Sequence, residues 1–393
     1  MQNISYRQTR IPAAIVLFLL GISFGPSRAG QKEDAVVSQP MESAPVDSMI
    51  EAKKHYSFAK QNLQNRMYED AIVQFRKSLA YNPKNAKVHY ALASLLYELK
   101  RLPEAKVAYL AAVGADSTHL NSHYMLAALY YAEANYDSAM IEYRRILALK
   151  PDYREIRRRL ADLYHYRGRD EDALTEYRVL SSSAPENTEL LELVGRLLLK
   201  LGRKEEAIEV YRRLSELQLD DVSALRTVAD LEYDLRRFPE ALVSYVTLVH
   251  RDSTDYASYV RVVEISQRLG ETEKLLYGLG NLVRLQPNNV QYMSKLSEIY
   301  LDQNRLSAAK HWIDQGLKLQ PKNAHLHVLS GDYYHKQGKR KTAIDEYQHA
   351  LSDPMWKKYA QQMIEAIQSE IQQEEWKKEE ERKKAFFDRG KSK

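Results

Sequence analysis

The chain has 393 residues, 44% of them hydrophobic, with 14 glycines, 12 prolines and no cysteine. The missing cysteine excludes disulfides, thiol catalysis, thiolate–metal sites and a lipid-modified N-terminal cysteine together. The formal charge is +5, but Arg7, Arg10 and Arg28 lie in the first 29 residues with no acid beside them, and without that leader it falls to +2, which removes the main support for nucleic-acid binding.

In chain order the leader comes first. Arg7 and Arg10 precede an apolar run from Ile11 to Phe24, and Ser27-Arg28-Ala29 places small residues before a cut. This is the pattern of a secretory signal peptide over residues 1–29, since the run is shorter than the ~20 residues of a spanning helix. The rest of the chain is expected to be exported, to a periplasmic location; an uncleaved leader that anchors it to the membrane is the alternative. Residues 30–51 are polar, contain Pro40 and Pro45 and show no apolar period, so they read as a flexible linker.

From Ala52 to Lys357 the sequence repeats every 34 residues, nine times, without insertion or deletion. Numbering places within each unit from Ala52, the eighth reads Ala59, Ala93, Ala127, Ala161, Gly195, Ala229, Val263, Ser297, Gly331. The twentieth is alanine in every unit but one, where Leu275 stands. Small residues recur where two helices cross closely. Four places on, a ring recurs, as in Phe75, Tyr109, Tyr143, Tyr177, Tyr211, Tyr245 and Tyr347, on the same helical face as the alanine. Gly168, Gly202, Gly270 and Gly338 share a turn column where φ > 0 is needed. Pro103 and Pro239 open second helices, and boundary prolines such as Pro83 and Pro151 close them. Each unit is therefore an antiparallel helix pair that must stack on its neighbours to bury its apolar faces.

This grid resembles the tetratricopeptide repeat family, over more than three quarters of the chain. The resemblance implies an all-α fold, a right-handed superhelical solenoid of antiparallel helix pairs with about nine units. Departures are local: Ser117, Leu219 and Ser253 replace the boundary proline, and the seventh unit carries Leu275, Leu279, Gly278 and Gly280 in its second helix. That unit is expected to be either loosened into a hinge or a drifted repeat that still packs. Residues 358–393 read as a capping helix and charged tail. Trp356, Ala360, Ile364, Ile367 and Ile371 form one apolar stripe, followed by a mixed charge run expected to fray.

Nothing in the chain collects catalytic chemistry: there is no HExxH, P-loop or nucleophile elbow, and no uncommitted stretch is long enough for an active domain. The protein is read as not an enzyme and as needing no cofactor. His55, His89 and His123 share the fourth place, which invites a metal ladder. Adjacent helices stand about 8–10 Å apart, however, whereas zinc needs ligands at ~2 Å, so these rings read as packing.

In the family, the second, fifth, ninth, twelfth and thirteenth places line the concave face. Carried onto this chain, the resemblance implies a groove with Tyr56, Tyr90, Tyr97, Tyr124 and Tyr131, followed by a charged stretch with Arg158, Arg196 and Arg226. Arg158–Asp162 and Arg226–Asp230 stand at the spacing of ordinary i, i+4 pairs. The lysine and asparagine pair that clamps chaperone C-termini in some members is absent, its places holding Tyr56/Lys60, Tyr90/Ser94 and Tyr124/Ala128. The function read from these features is a non-catalytic scaffold that binds an extended protein or peptide segment, in cell-envelope assembly. The alternative is a carbohydrate-binding or polysaccharide-export accessory protein, since tyrosines also stack on sugar rings. Nucleic acid is not an expected partner, and membrane association would come only through an uncleaved leader.

Overall fold

The computed structural model describes residues 46–391. The leader over 1–29 and the linker as far as residue 45 lie outside the described residues. The linker boundary at 51 needs correction, because helix α1 (Val46–Gln64) begins six residues earlier than the first unit. The Ser48 hydroxyl donates to the Tyr81 carbonyl at 2.8 Å, so the early turn of α1 is held against the end of α2 (Tyr68–Tyr81).

Among the described residues there are nineteen helices and no strand, and no helix is long and apolar enough to cross a membrane. The chain divides into two compact units, one up to Leu190 and one from Leu191. The first stacks the hairpins α1–α2, α3–α4 (Ala86–Glu98, Leu102–Ala115), α5–α6 (Leu120–Ala132, Tyr136–Leu149) and α7–α8 (Arg154–Tyr166, Asp170–Ser182). The boundary falls within α9 (Thr188–Lys200). The second unit continues with α10 (Lys204–Leu217), α11–α12 (Ser223–Asp234, Phe238–Arg251), α13–α14 (Tyr256–Leu269, Thr272–Leu285), α15–α16 (Val290–Asp302, Leu306–Leu319) and α17–α18 (Ala324–Lys336, Arg340–Ala350). It closes on α19 (Lys357–Lys391).

The small-residue columns are the axis of each hairpin. Ala59, Ala93, Ala127, Ala161 and Ala229 are fully buried, as are Ala71, Ala105, Ala139, Ala173, Ala207, Ala241, Ala309 and Ala343. Where glycine takes the eighth place, the reason is a ring. A Cβ on Gly195 would lie 2.8 Å from Tyr211, and one on Gly331 would lie 2.6 Å from Tyr347. Burying each such ring stabilises the fold by about 2–3 kcal/mol.

The first helices are capped by a column that the sequence reading passed over. Asn85, Asp255, Asn289 and Asn323 each accept a backbone N–H from the first turn that follows, and His119 does the same through Nδ1. The turn column is also broader than its glycines. Besides Gly168, Gly202, Gly270 and Gly338, the same place in the other five units has positive φ at Arg66, Lys100, Ala134, Arg236 and Asn304. The closing bonds repeat with it: Gly168 N–H donates to His165 and Arg169 N–H to Tyr164, while Lys100 donates to Tyr97 and Arg101 to Leu96. The left-handed conformation costs a residue with a Cβ about 1–2 kcal/mol, partly offset by the entropy glycine loses on folding. Ala134→Gly and Arg236→Gly are therefore each expected to stabilise the protein by about 0.5–1 kcal/mol. A urea midpoint that stays put or falls in both variants would contradict this.

The seventh unit is packed like its neighbours. Helix α14 runs unbroken through Gly278 and Gly280. Val263 fills the eighth place with a larger side chain, and Gly278 on the facing helix makes room for it; a Cβ there would lie 2.8 Å from Val263 Cγ2. Leu275 and Leu279 pack with Leu276, Val283, Met293 and Leu296. This packing supports the drifted-repeat reading.

Helix α19 covers the last hairpin. Ala360 and Ile367 are fully buried, and Trp356, Met363, Ile364 and Ile371 pack beside them against Ala324, Val328, Ala343, Tyr347 and Ala350. Arg340 reaches Glu370 at 3.0 Å and Glu374 at 2.7 Å. The charged tail continues this helix to Lys391, with pairs such as Glu379–Lys383 at i, i+4 supporting it.

Candidate partner-binding groove

Hairpin geometry brings the fifth and the twenty-fourth places of a unit together, and this sets three of the anticipated groove residues. Tyr56 lies over Phe75 with ring centroids 6.0 Å apart, and Tyr90 over Tyr109 at 5.8 Å. The Arg158 guanidinium lies 5.6 Å from the Tyr177 ring centre. Phe75, Tyr109 and Tyr177 are fully or almost fully buried, whereas Tyr56, Tyr90, Tyr124 and Arg158 are half-buried. The fifth-place row is thus a series of partly open side chains, three of which rest on buried rings. Burial holds the Tyr124 phenol above its ordinary range.

Tyr97 and Tyr131 are placed differently. Tyr97 is half-buried against the core of the first unit. Tyr131 is 44% exposed and meets Tyr136 edge-on at 5.5 Å, and Tyr136 meets the more exposed Tyr166 at 5.3 Å. Tyr56, Tyr90 and Tyr124 recur at the fifth place and Tyr97 and Tyr131 at the twelfth, and Tyr131 also joins an aromatic cluster with Tyr136 and Tyr166.

The charged stretch has specific partners. Arg158 Nε donates to Asp162 at 2.9 Å, as its spacing implied, and Nη2 reaches Glu189 at 3.1 Å. Arg196 is exposed and stands 3.5 Å from Glu192. The Arg226–Asp230 pairing is wrong. Arg226 Nη1 reaches Asp255 at 2.7 Å in the turn ahead, and Asp230 accepts the Tyr245 hydroxyl at 2.5 Å. Burial pushes Asp255 up, but the Ser258 and Arg226 hydrogen bonds outweigh it and hold the carboxyl below its usual range.

Asp230 is one case of a rule that the sequence reading missed. The ninth-place side chain accepts the twenty-fourth-place phenol in Asp162–Tyr177, Asp230–Tyr245 and Asp332–Tyr347, and Ser94 meets Tyr109 at 3.3 Å. Burial, and then the adjacent carboxylate, drive the Tyr177 and Tyr245 phenols well above their ordinary range. Both columns were legible, but only the folded hairpin shows that they touch. Ninth-place acids in these units are spoken for by a phenol, which lessens their freedom to read a ligand's charge.

A second concavity is lined largely by amides, with Ser294, Lys295, Glu298 and His325 among them. Between the turns at 286–289 and 320–323 lies an open concavity of about 790 Å³. It is lined by Gln291, Ser294 and Glu298, at the second, fifth and ninth places of their unit, and by His325 at the second place of the next. Glu298 accepts from His325 at 2.9 Å and from Lys295 at 2.9 Å, and these bonds, led by His325, hold its carboxyl below the usual range. His325 is itself stacked on Trp356, centroids 4.2 Å apart.

The histidines at the fourth place each bond within their own surroundings. His55 Nδ1 lies 2.7 Å from Gln74 Oε1, His89 Nε2 lies 2.8 Å from the Pro83 carbonyl, and His123 lies between Glu142 and the Ser117 carbonyl. They are fasteners in separate hairpins and do not converge.

Known proteins place this architecture. No curated protein matches the sequence. Three family patterns, each described as a tetratricopeptide repeat, match residues 62–129, residues 120–163, and residues 193–256 with 279–359, well over half of the chain together. Among solved structures, the chain is similar to the TPR domain of P58(IPK), at 16% identity and TM-score 0.28, covering 82% of this chain and 99% of that one. It is also similar to a tetratricopeptide repeat protein from Parabacteroides merdae, at 16% identity and TM-score 0.30, covering 63% and 98%. A third is the first TPR of Spaghetti (RPAP3), bound to an HSP90 peptide, at 20% identity and TM-score 0.28, covering 30% and 95%. With the family patterns matched along both compact units, this chain belongs to the tetratricopeptide repeat family.

Proposed function

We propose that this protein is a non-catalytic scaffold that holds an extended segment of a partner protein against the groove face of its first helices, and that it serves cell-envelope assembly after export. The coarse part, a protein–protein interaction scaffold, is what repeats of this family provide. The observation that carries the groove assignment is the fifth-place row. Tyr56, Tyr90 and Arg158 are partly open and already rest on buried rings, so they lose little freedom when a ligand covers them. Aromatic and arginine side chains held in this way are the usual anchors of protein interfaces. The export half of the reading rests on the leader alone.

The test is recovery of partners from envelope extracts with the full protein and with a Tyr90→Ala/Tyr124→Ala variant whose helical content matches the parent. A specific protein partner should be captured by the parent and lost from the variant. An unchanged set of partners would sink the groove assignment, and a glycan-array signal lost in the same variant would favour the carbohydrate reading. Protein recovered from that fraction should begin at Gly30, and a start at Met1 would mean an anchor.

A further inference from the structure

The fourth place of the repeat holds one side chain that reaches the same two kinds of acceptor in three different hairpins. In α7, Arg157 donates to Glu176 on the facing helix and, through Nη2, to the Pro151 carbonyl at 2.7 Å in the turn before it. In α5, His123 Nδ1 lies 2.5 Å from Glu142 Oε2 and its Nε2 lies 2.9 Å from the Ser117 carbonyl. In α17, His327 Nδ1 lies 2.8 Å from Glu346 Oε2 and its Nε2 lies 3.0 Å from the Pro321 carbonyl. The niche is the same each time: a carboxylate nineteen residues ahead and a carbonyl six residues behind.

A carbonyl oxygen and a carboxylate only accept, and a neutral imidazole has a single N–H. A histidine that satisfies both acceptors must hold one proton more than neutral imidazole and carboxylate do together. At His123 that proton belongs on the ring, because Arg145 Nη1 engages the other Glu142 oxygen at 2.7 Å and favours the ionised carboxylate. Arg157 supports the same conclusion from inside the molecule, since an obligate cation fills the identical niche. Two further histidines at this place act as contrasts. His89 has Ala108 where the acid would be and bonds only the Pro83 carbonyl, and His55 meets the amide of Gln74, with Glu51 no nearer than 3.9 Å. Each can be satisfied by a neutral ring.

We propose that His123 and His327 are protonated clasps that fasten a hairpin to the turn before it, so that these two junctions tighten when protons are available and loosen as pH rises. The charged and titratable groups around His123 are Glu142, Arg145 beyond it, and Asp116 and His119 in the preceding turn. Around His327 they are Glu346 and His349, whose ring lies 4.7 Å away. The sign follows from linkage. The closed junction binds a proton that the opened one releases, so the stability it supplies is present while the ring is doubly protonated and is lost as pH rises.

The experiment is amide hydrogen exchange on the full protein between about pH 5.5 and 8.5, after correction for intrinsic exchange rates. The helices α5–α6 and α17–α18 should open more readily at higher pH, by up to about tenfold per pH unit, whereas α3–α4, which carries His89, should not share that slope. A His123→Arg/His327→Arg variant should abolish the slope, and Arg157→His should create one at α7–α8. An equal slope in parent and arginine variant would overturn the proposal. Should the arginine variant fold poorly, imidazole nitrogen shifts of the unaltered protein decide it: both nitrogens of His123 and His327 protonated near pH 7 supports the clasp, and a neutral tautomer at both refutes it.

Discussion

Tyr347→Ala is expected to destabilise the protein by about 3–5 kcal/mol, while Tyr347→Phe costs only about 1 kcal/mol. The ring is fully buried at the junction of α17, α18 and α19, among Val328, Ala343, Ala350, Ala360 and Ile367. Its truncation leaves a cavity at the one place where the terminal helix covers the last hairpin. Its hydroxyl donates to Asp332 at 2.6 Å, and Tyr359 donates to the same oxygen at 3.0 Å. Burial raises the Asp332 carboxyl above its usual range against the opposing pull of those two phenols, so losing one leaves a partly buried acid less satisfied. The glycine opposite supplies the control. Gly331→Val alone should cost about 1–3 kcal/mol, because its Cβ would stand 2.6 Å from the Tyr347 ring. Combined with Tyr347→Ala, the two should cost less than their sum, since each relieves the fault the other creates. Strictly additive urea midpoints would show that ring and glycine do not compete for one space.

His123→Ala is expected to cost about 3–5 kcal/mol, against about 1 kcal/mol for His89→Ala. Both rings occupy the same place in the repeat, so the difference isolates what surrounds them. His123 and Glu142 are 2% and 3% exposed, and removing the ring strands a buried carboxylate with Arg145 alone while the Ser117 carbonyl loses its donor. His89 is more open and gives up a single bond to Pro83. Equal midpoint losses in the two variants would mean that the carboxylate, not the ring's position, has been misjudged.

The columns of small residues, rings and turn glycines carry the hairpin in the sequence because each acts within one unit. Ala161, Ala173 and Tyr177 meet across a single turn, and a period of 34 repeats that local statement nine times. Helix type, unit boundaries and the capping stripe over Ala360 and Ile367 follow in the same way. The groove was less legible. The fifth place was identified through family resemblance, but its contact with the twenty-fourth-place ring and the turn of Arg226 to Asp255 depend on the folded hairpins. The amide-lined concavity beside Glu298 offered no signal, since asparagine and glutamine in a turn look like turn chemistry.

Nine helix pairs with a closing helix are legible in residue order alone, because spacing along one helix settles which side chains share its face. What residue order could not determine is which groups on two different helices end up bonded. That Asp230 takes a phenol and not an arginine, that Ala134 and Arg236 adopt the left-handed turn of their glycine counterparts, and that His123 finds a buried carboxylate while His89 finds none were all decided by tertiary structure. Each depends on distances across a turn or between stacked hairpins, where a shift of one or two ångströms exchanges one partner for another.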